Sequence, residues 1–415
     1  MVDAVSVVRA TPPVRHSLGS KRQARRSGAT EAAANVRLAG ADEIRRWDGL
    51  ILQSPDEGNV YRGSANIDGM VCQQGVTPVY LIVNGHAVTT FRVEVPLVGA
   101  MWVLFGPPVE DAHELAQSAK AVAAFAEDQG VTAVRLRTQL KANSDDANLL
   151  RSYGLTRVPA WLDDSTVIVD LSGSELDVQA RFKKRARKSI RRAAQEGVTV
   201  DRVPATDDNC RILYEMLDAT SGGRFQIPDL PASAAVFQRY EATGDGQLFL
   251  ARHEGDVVVG AFVAKFGKTA LYLGAGSVRK QPGDPTLCGL GGSRAAYALQ
   301  WEIMRWAREQ GCDRYDLDGT PSSSTIADET HPRHGVGQFK TAFSHEITDY
   351  LGAYQIAVRP RRAWALLQLE ICAGRVDESP VLNRLRHRPV RPNPDYVWLH
   401  RGRRGQRRLR GVEMK

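Results

Sequence analysis

A dodecamer that returns after 181 residues constrains this chain most. FAEDQGVTAVRL runs from Phe125 through Gly130 to Leu136, and WAREQGCDRYDL runs from Trp306 through Gly311 to Leu317. Each reads as the last turn of a helix, a glycine past its end and a short strand. Upstream of each lies a matching hairpin signal. Tyr80–Val88 places Asn84-Gly85 between two apolar runs, and Leu248–Gly260 places Glu254-Gly255 there. Asn-Gly between apolar runs is a strong two-residue hairpin signal. The repeat therefore predicts an α+β chain of two similarly built lobes, each a mixed, mostly antiparallel sheet with flanking helices.

Length and charge fit that plan. The 415 residues exceed one ordinary domain, and 43% hydrophobic content is enough to bury a core. Residues 1–36 hold six Lys or Arg against two acids, and 384–415 hold eleven against two. The span between them is mildly acidic, with 38 basic and 43 acidic residues. The expected organisation is a disordered basic tail over 1–36, a first lobe over 37–165 and a second over 166–345. A segment over 346–383 then returns to the first lobe, and a basic tail over 384–415 follows. Arginine-rich tails favour polyanions, either RNA or anionic lipid headgroups, and otherwise only aid solubility. No apolar run nears the ~18 residues of a membrane span. No apolar stretch follows the N-terminal charges, so neither an integral segment nor a secretory signal is expected. Cys72, Cys210, Cys288, Cys312 and Cys372 form no C-x-x-C pair, which fits a reducing cytoplasm better than a disulfide framework.

The seam between the lobes falls near Asp163-Asp164. A strand over Val167–Leu171 precedes Ser174-Glu175-Leu176-Asp177, a capping box that opens a helix running to about Glu196. Val178, Phe182, Ala186 and Ile190 recur at i+4 as its buried stripe. Arg181, Lys183, Lys184, Arg185, Arg187, Lys188, Arg191 and Arg192 put eight cations in twelve residues without one acid. A merely solvated face mixes signs so that i,i+4 pairs attract. Eight like charges repel, and a phosphate or RNA partner would offset that cost.

Three short motifs carry less. Asp316-Leu317-Asp318-Gly319-Thr320 resembles the nucleophile motif of haloacid-dehalogenase phosphatases, but only 95 residues follow it, and that chemistry needs a longer core. Gly289–Gly292 before the helix 294–310 is either a flexible connector or a pyrophosphate cradle resembling the coenzyme-A loop of GNAT acetyltransferases. It lacks the Lys-Ser/Thr of an ATP-binding loop. His331 and His334, flanking Arg333, lack a third metal ligand, and no G-x-S-x-G elbow occurs. No metal site is expected.

Ordered segments over roughly 45–360 resemble the FemABX family of aminoacyl-tRNA-dependent peptidyltransferases. They are Trp47-Asp48, Gly58–Tyr61, Gly106–Val109, Ile190–Gly197, Gly223-Arg224-Phe225, Tyr272–Ala275, Leu299–Ile303, Tyr315–Gly319 and Gly337–Phe343. The resemblance implies two tandem GNAT-like lobes and transfer of an amino acid from charged tRNA to an amine. The usual acceptor is a UDP-linked or lipid-linked muramyl peptide, and the reaction needs no cofactor beyond aminoacyl-tRNA as co-substrate. The cysteine usage gives a cytoplasmic expectation, and the basic tails leave peripheral contact with an anionic inner membrane face open. An aminoacyl ester is already activated, so the enzyme must orient the amine and stabilise an oxyanion.

By this resemblance Lys340 stands near the oxyanion and Phe339 beside the terminal adenosine of the tRNA. Arg224 and Tyr272 grip the acceptor's diphosphate, with Tyr315 grouped alongside them, and Asp316 receives or relays the amine proton. The family's first-lobe lysine is missing from Arg62–Gln74, which leaves a specialised-metabolite amine open as acceptor. A GNAT-type N-acyltransferase using acyl-CoA through Gly289–Gly292, and a non-enzymatic binding protein, are the competing expectations.

Overall fold

The computed structural model describes residues 35–95, 98–158, 163–221, 227–278 and 294–377, with side chains to 369. The expected basic tails, the Gly289–Gly292 loop and Arg224 lie outside the described residues.

The repeated unit is a three-stranded antiparallel meander, a helix, and a strand that returns parallel to the last one. In the first half, β2 (Thr77–Val83), β3 (His86–Val95) and β4 (Gly99–Phe105) form the meander. The helix Ala112–Glu127 then leads to β5 (Val131–Lys141), parallel to β4. In the second half, β9 (Gly246–His253), β10 (Asp256–Phe266) and β11 (Thr269–Ser277) form the meander. The helix Ala295–Glu309 then leads to β12 (Arg314–Gly319), parallel to β11. Gly130 (φ 70°) and Gly311 (φ 81°) both adopt the left-handed conformation at the helix-to-strand turn, as the repeat predicts. The two halves are the expected α+β lobes.

Each helix presents an apolar stripe to its sheet. Asp111 caps the first, accepting a 2.8 Å hydrogen bond from the Glu114 amide. Leu115, Ala119, Val122 and Ala126 of that helix are fully buried and share a core with Leu81, Val88, Trp102 and Leu104. In the second lobe Leu299, Ile303 and Trp306 meet Phe249 and Val263. Burial of each such large side chain contributes about 1.5–3 kcal/mol. The opposite face of the second meander is covered by helices Asp207–Ser221 and Leu230–Ala242, through Leu213, Phe237, Leu250 and Phe262.

The halves are joined edge to edge. Strand β13 (Thr348–Ala357) runs antiparallel to β5 and, at its start, to β7 (Ser165–Asp170). Strand β7 in turn pairs with β12. With β1 (Val36–Leu38), β6 (Thr156–Arg157) and β8 (Thr199–Val203), thirteen described strands make one sheet. None of the described helices is long and apolar enough to cross a membrane.

The basic helix is a correction. It starts at the Ser174 capping box but is two helices, Glu175–Arg181 and Lys184–Gln195. Phe182 (ψ 149°) and Lys183 (ψ 150°) are extended between them. Phe182 is buried edge-on to Trp301 and Phe343, at 5.8 and 5.4 Å between centroids. Arg187 reaches back to the carbonyl oxygens of Gln179, Ala180 and Phe182, satisfying the acceptors left at the break.

Candidate active site

Strand alternation along β12 buries Tyr315, Leu317 and Gly319 and leaves Asp316 and Asp318 partly exposed on the other face. The register against β7 shifts between Asp316 and Gly319, a bulge in which Asp318 takes a left-handed φ of 59°. Bulges re-aim side chains, and this one gathers two carboxylates at the junction of the lobes. Asp316 Oδ1 accepts hydrogen bonds from Thr166 Oγ1 on β7 and from the Asp318 amide at 2.8 Å. Only glycine fits at 319, because a Cβ there would lie 1.6 Å from Asp163 Oδ2. Asp163 is held in that position by a bidentate pair with Arg333, both distances 2.6 Å.

Lys340 closes the helix His334–Lys340 and is 8% exposed. Its Nζ donates to the carbonyl oxygens of Asp318 (3.0 Å) and Gly319 (2.6 Å). An ammonium has three N–H bonds, so two fasten the bulge and one remains for another acceptor. From the first lobe, Tyr61 donates its hydroxyl to Asp318 Oδ1 at 3.2 Å. The cluster thus draws on residues from 61 to 340 across both lobes.

Burial governs the electrostatics. It lifts Asp316 to about 6, with the Asp318 charge adding to the rise and the Thr166 bond, Asp318 amide and Lys340 opposing it. Burial also pulls Lys340 down, against the attraction of Asp318, Asp316 and Asp163. Tyr61 is pushed well up by burial and by Asp318 and Asp316, so it stays a donor. A carboxylate that titrates near 6 beside a buried ammonium with one free N–H can take a proton and stabilise a developing oxyanion.

Of the residues expected in the site, the fold brings Asp316 and Lys340 into one cluster. Phe339 lies at the edge of the second core, packed against Tyr297 (5.0 Å) and Phe343 (5.5 Å). Tyr315 is a correction, for its side chain is fully buried and its hydroxyl donates to Gln300 Oε1 at 2.9 Å. Neighbouring strand residues face opposite ways, so Tyr315 cannot share the surface of Asp316. Tyr272 is partly buried against the same core, 6.4 Å from the Tyr315 ring and beside the Gln300 amide.

The eight cations divide by contact. Arg181 binds the Ser172 carbonyl and Asp170, Arg185 binds Gln338, Arg187 caps a helix and Arg192 pairs with Glu196. Lys183 sits between the helices, half-buried, its amide bonded to the Ala342 carbonyl. Lys184, Lys188 and Arg191 are exposed at helical spacing on Lys184–Gln195, with no ion pair to a described residue.

Sequence reading did not assign Tyr61, Asp163, Thr166 or Arg333 to the site. Tyr61 and Arg333 lay inside motifs already singled out, GNVY and HPRH, and Asp163 marked the seam. Thr166 carried no signal of its own.

Residues 249–370 match the FemAB family model. Over 180 residues the chain is 34% identical to the UDP-N-acetylmuramoylpentapeptide-lysine N(6)-alanyltransferase of Weissella viridescens. That match covers 40% of this chain and 49% of the relative, so it spans about half the relative's length. The fold is similar to the crystal structure of FemX, with a TM-score of 0.65 and 15% identity over 80% of this chain and 99% of that one. Two similarly built α+β lobes joined in one sheet, the fold of FemX, are therefore the architecture of the described residues.

Proposed function

We propose that this chain, which matches the FemAB family model over residues 249–370, transfers an amino acid from charged tRNA to an amine of a muramyl-peptide acceptor. The observation that carries this reading is that Asp316 and Lys340 hold the same β12 bulge, Asp316 through the Asp318 amide and Lys340 through the Asp318 and Gly319 carbonyls. The acceptor amine attacks the carbonyl carbon of the aminoacyl ester. As the C–N bond forms, Asp316 takes a proton from the nitrogen, and the free N–H of Lys340 donates to the oxyanion. Collapse breaks the bond to the ribose oxygen, which receives the proton. No ATP and no covalent intermediate are required, because the ester already holds the free energy of the new amide.

Lys184, Lys188 and Arg191 suit the tRNA backbone. Three exposed cations on one helical face, without acidic partners, match a line of phosphates. Tyr61 and Asp318 join the lobes where the acceptor amine would enter. The test is transfer by purified protein from bulk tRNA charged with labelled amino acids to UDP-linked muramyl pentapeptide. Label on the peptide that prior RNase treatment of the tRNA prevents supports the proposal and identifies the donor. Failure to bind charged tRNA would overturn it, and a protein that binds the tRNA but labels a different amine would move the acceptor only.

A further inference from the structure

Tyr61 lines a second feature, a small open cleft, with Asp56, Asn59, Arg62, Phe105 and Arg137. Its polar groups are incompletely used. Arg62 is wholly buried, and Asp56 takes its Nη2 at 2.6 Å, yet its Nε and Nη1 have no partner among the described residues. Arg137 is 8% exposed and donates Nη2 to the Asp163 carbonyl, while its Nε is also unpartnered among the described residues. Asn59 gives Nδ2 to Gln139 Oε1 at 3.0 Å, and its buried Oδ1 has no partner among the described residues. A buried polar group without a partner costs about 1–3 kcal/mol. Several such groups around one concavity mark a ligand site, not a packing accident.

The chemistry of the walls defines the ligand. Two guanidinium groups and the Asp56 carboxylate leave one net positive charge, which matches a single carboxylate and not a doubly charged phosphate. Asn59 Oδ1 can only accept, so it asks for an N–H. Phe105, Val109 and Leu140 add an apolar wall suited to a small side chain. We propose that this cleft holds the C-terminal residue of a peptide. Its carboxylate meets the free N–H groups of Arg62 and Arg137, its amide N–H meets Asn59, and its side chain lies on the apolar wall. The inference deepens the proposed function and rests on it for the acceptor being a peptide. Anchored by its end beside Tyr61, that peptide would present an internal amine toward Asp318 and Asp316.

The test is a calorimetric titration of the full chain with N-acetyl-alanyl-alanine, with the same dipeptide as its C-terminal amide, and with inorganic phosphate. The free acid should bind at least about tenfold more tightly than the amide, with phosphate failing to displace it. Arg137→Gln should abolish binding of the acid. Because removing a buried charge can unfold the protein, Val109→Trp serves as a second variant that fills the cleft with both arginines kept. It should lose the acid while its thermal unfolding stays cooperative. Equal affinity for acid and amide, displacement by phosphate, binding unaffected by Val109→Trp, or no binding at about 10 mM would each overturn the assignment. Binding of the acid by a protein that forms no amide from charged tRNA would keep the cleft and sink the transfer reading. Transfer without this binding would do the reverse.

Discussion

Replacing Asp316 with asparagine separates the cost of its ionisation from its shape. Asparagine can still accept from Thr166 and from the Asp318 amide, but it carries no charge. In the fold Asp316 titrates near 6, against 3.8 for an ordinary aspartate. The gap of about two pH units, at about 1.36 kcal/mol each, amounts to as much as about 3 kcal/mol. Its sign is unusual for a carboxylate. The folded state holds the proton more tightly, so the stabilisation is complete below 3.8 and is lost as pH rises through 6. At pH 7 the wild type folds with an ionised, partly buried carboxylate, and Asp316→Asn should be the more stable protein. At pH 4 that advantage should disappear. Urea unfolding of both proteins at the two pH values measures it, since other titrating groups cancel in the comparison. A difference in stability that is the same at pH 4 and pH 7 would refute the account of this carboxylate. The same titration predicts that transfer falls about tenfold per pH unit below 6, because protonated Asp316 cannot accept the amine proton.

Other substitutions follow from the same geometry. Lys340→Met should slow transfer by about 10²–10³-fold through loss of the oxyanion donor. It should also destabilise the fold by about 1–3 kcal/mol by leaving the Asp318 and Gly319 carbonyls unpaired, read by urea midpoints. Gly319→Ala should disrupt the Asp163–Arg333 pair and lower the melting temperature, because its Cβ would occupy the position of Asp163 Oδ2. Joint replacement of Lys184, Lys188 and Arg191 by alanine should reduce the slope of log K against log salt for tRNA by about 2 to 3. Transfer at saturating tRNA should persist in that triple variant.

The two-lobe architecture was legible because the repeated unit is local. Helix, glycine and strand occupy twelve residues, and the turn at Gly130 or Gly311 needs nothing distant to form. The break at Phe182 was not legible, because Val178, Phe182 and Ala186 keep helical spacing. What decides it is tertiary, the burial of Phe182 between Trp301 and Phe343 and the reach of Arg187 to three carbonyls. Half of the candidate site was legible for a similar reason. Asp316 and Lys340 sit in compact motifs, whereas Tyr61, Asp163 and Thr166 join them only through the closure of the sheet by β13 and β7. The placement of Tyr315 could have been read from alternation alone, since its neighbour Asp316 claims the opposite face.

The most direct test of the central claim is a single-turnover comparison of wild type and Lys340→Met with labelled aminoacyl-tRNA and muramyl pentapeptide at pH 7. The account predicts an amide from the wild type whose formation prior RNase treatment abolishes, and a hundredfold or greater loss in the variant, at about 3 kcal/mol of transition-state stabilisation, with tRNA binding unchanged. Equal rates in the two proteins, or no amide from the wild type with any charged tRNA, would contradict it.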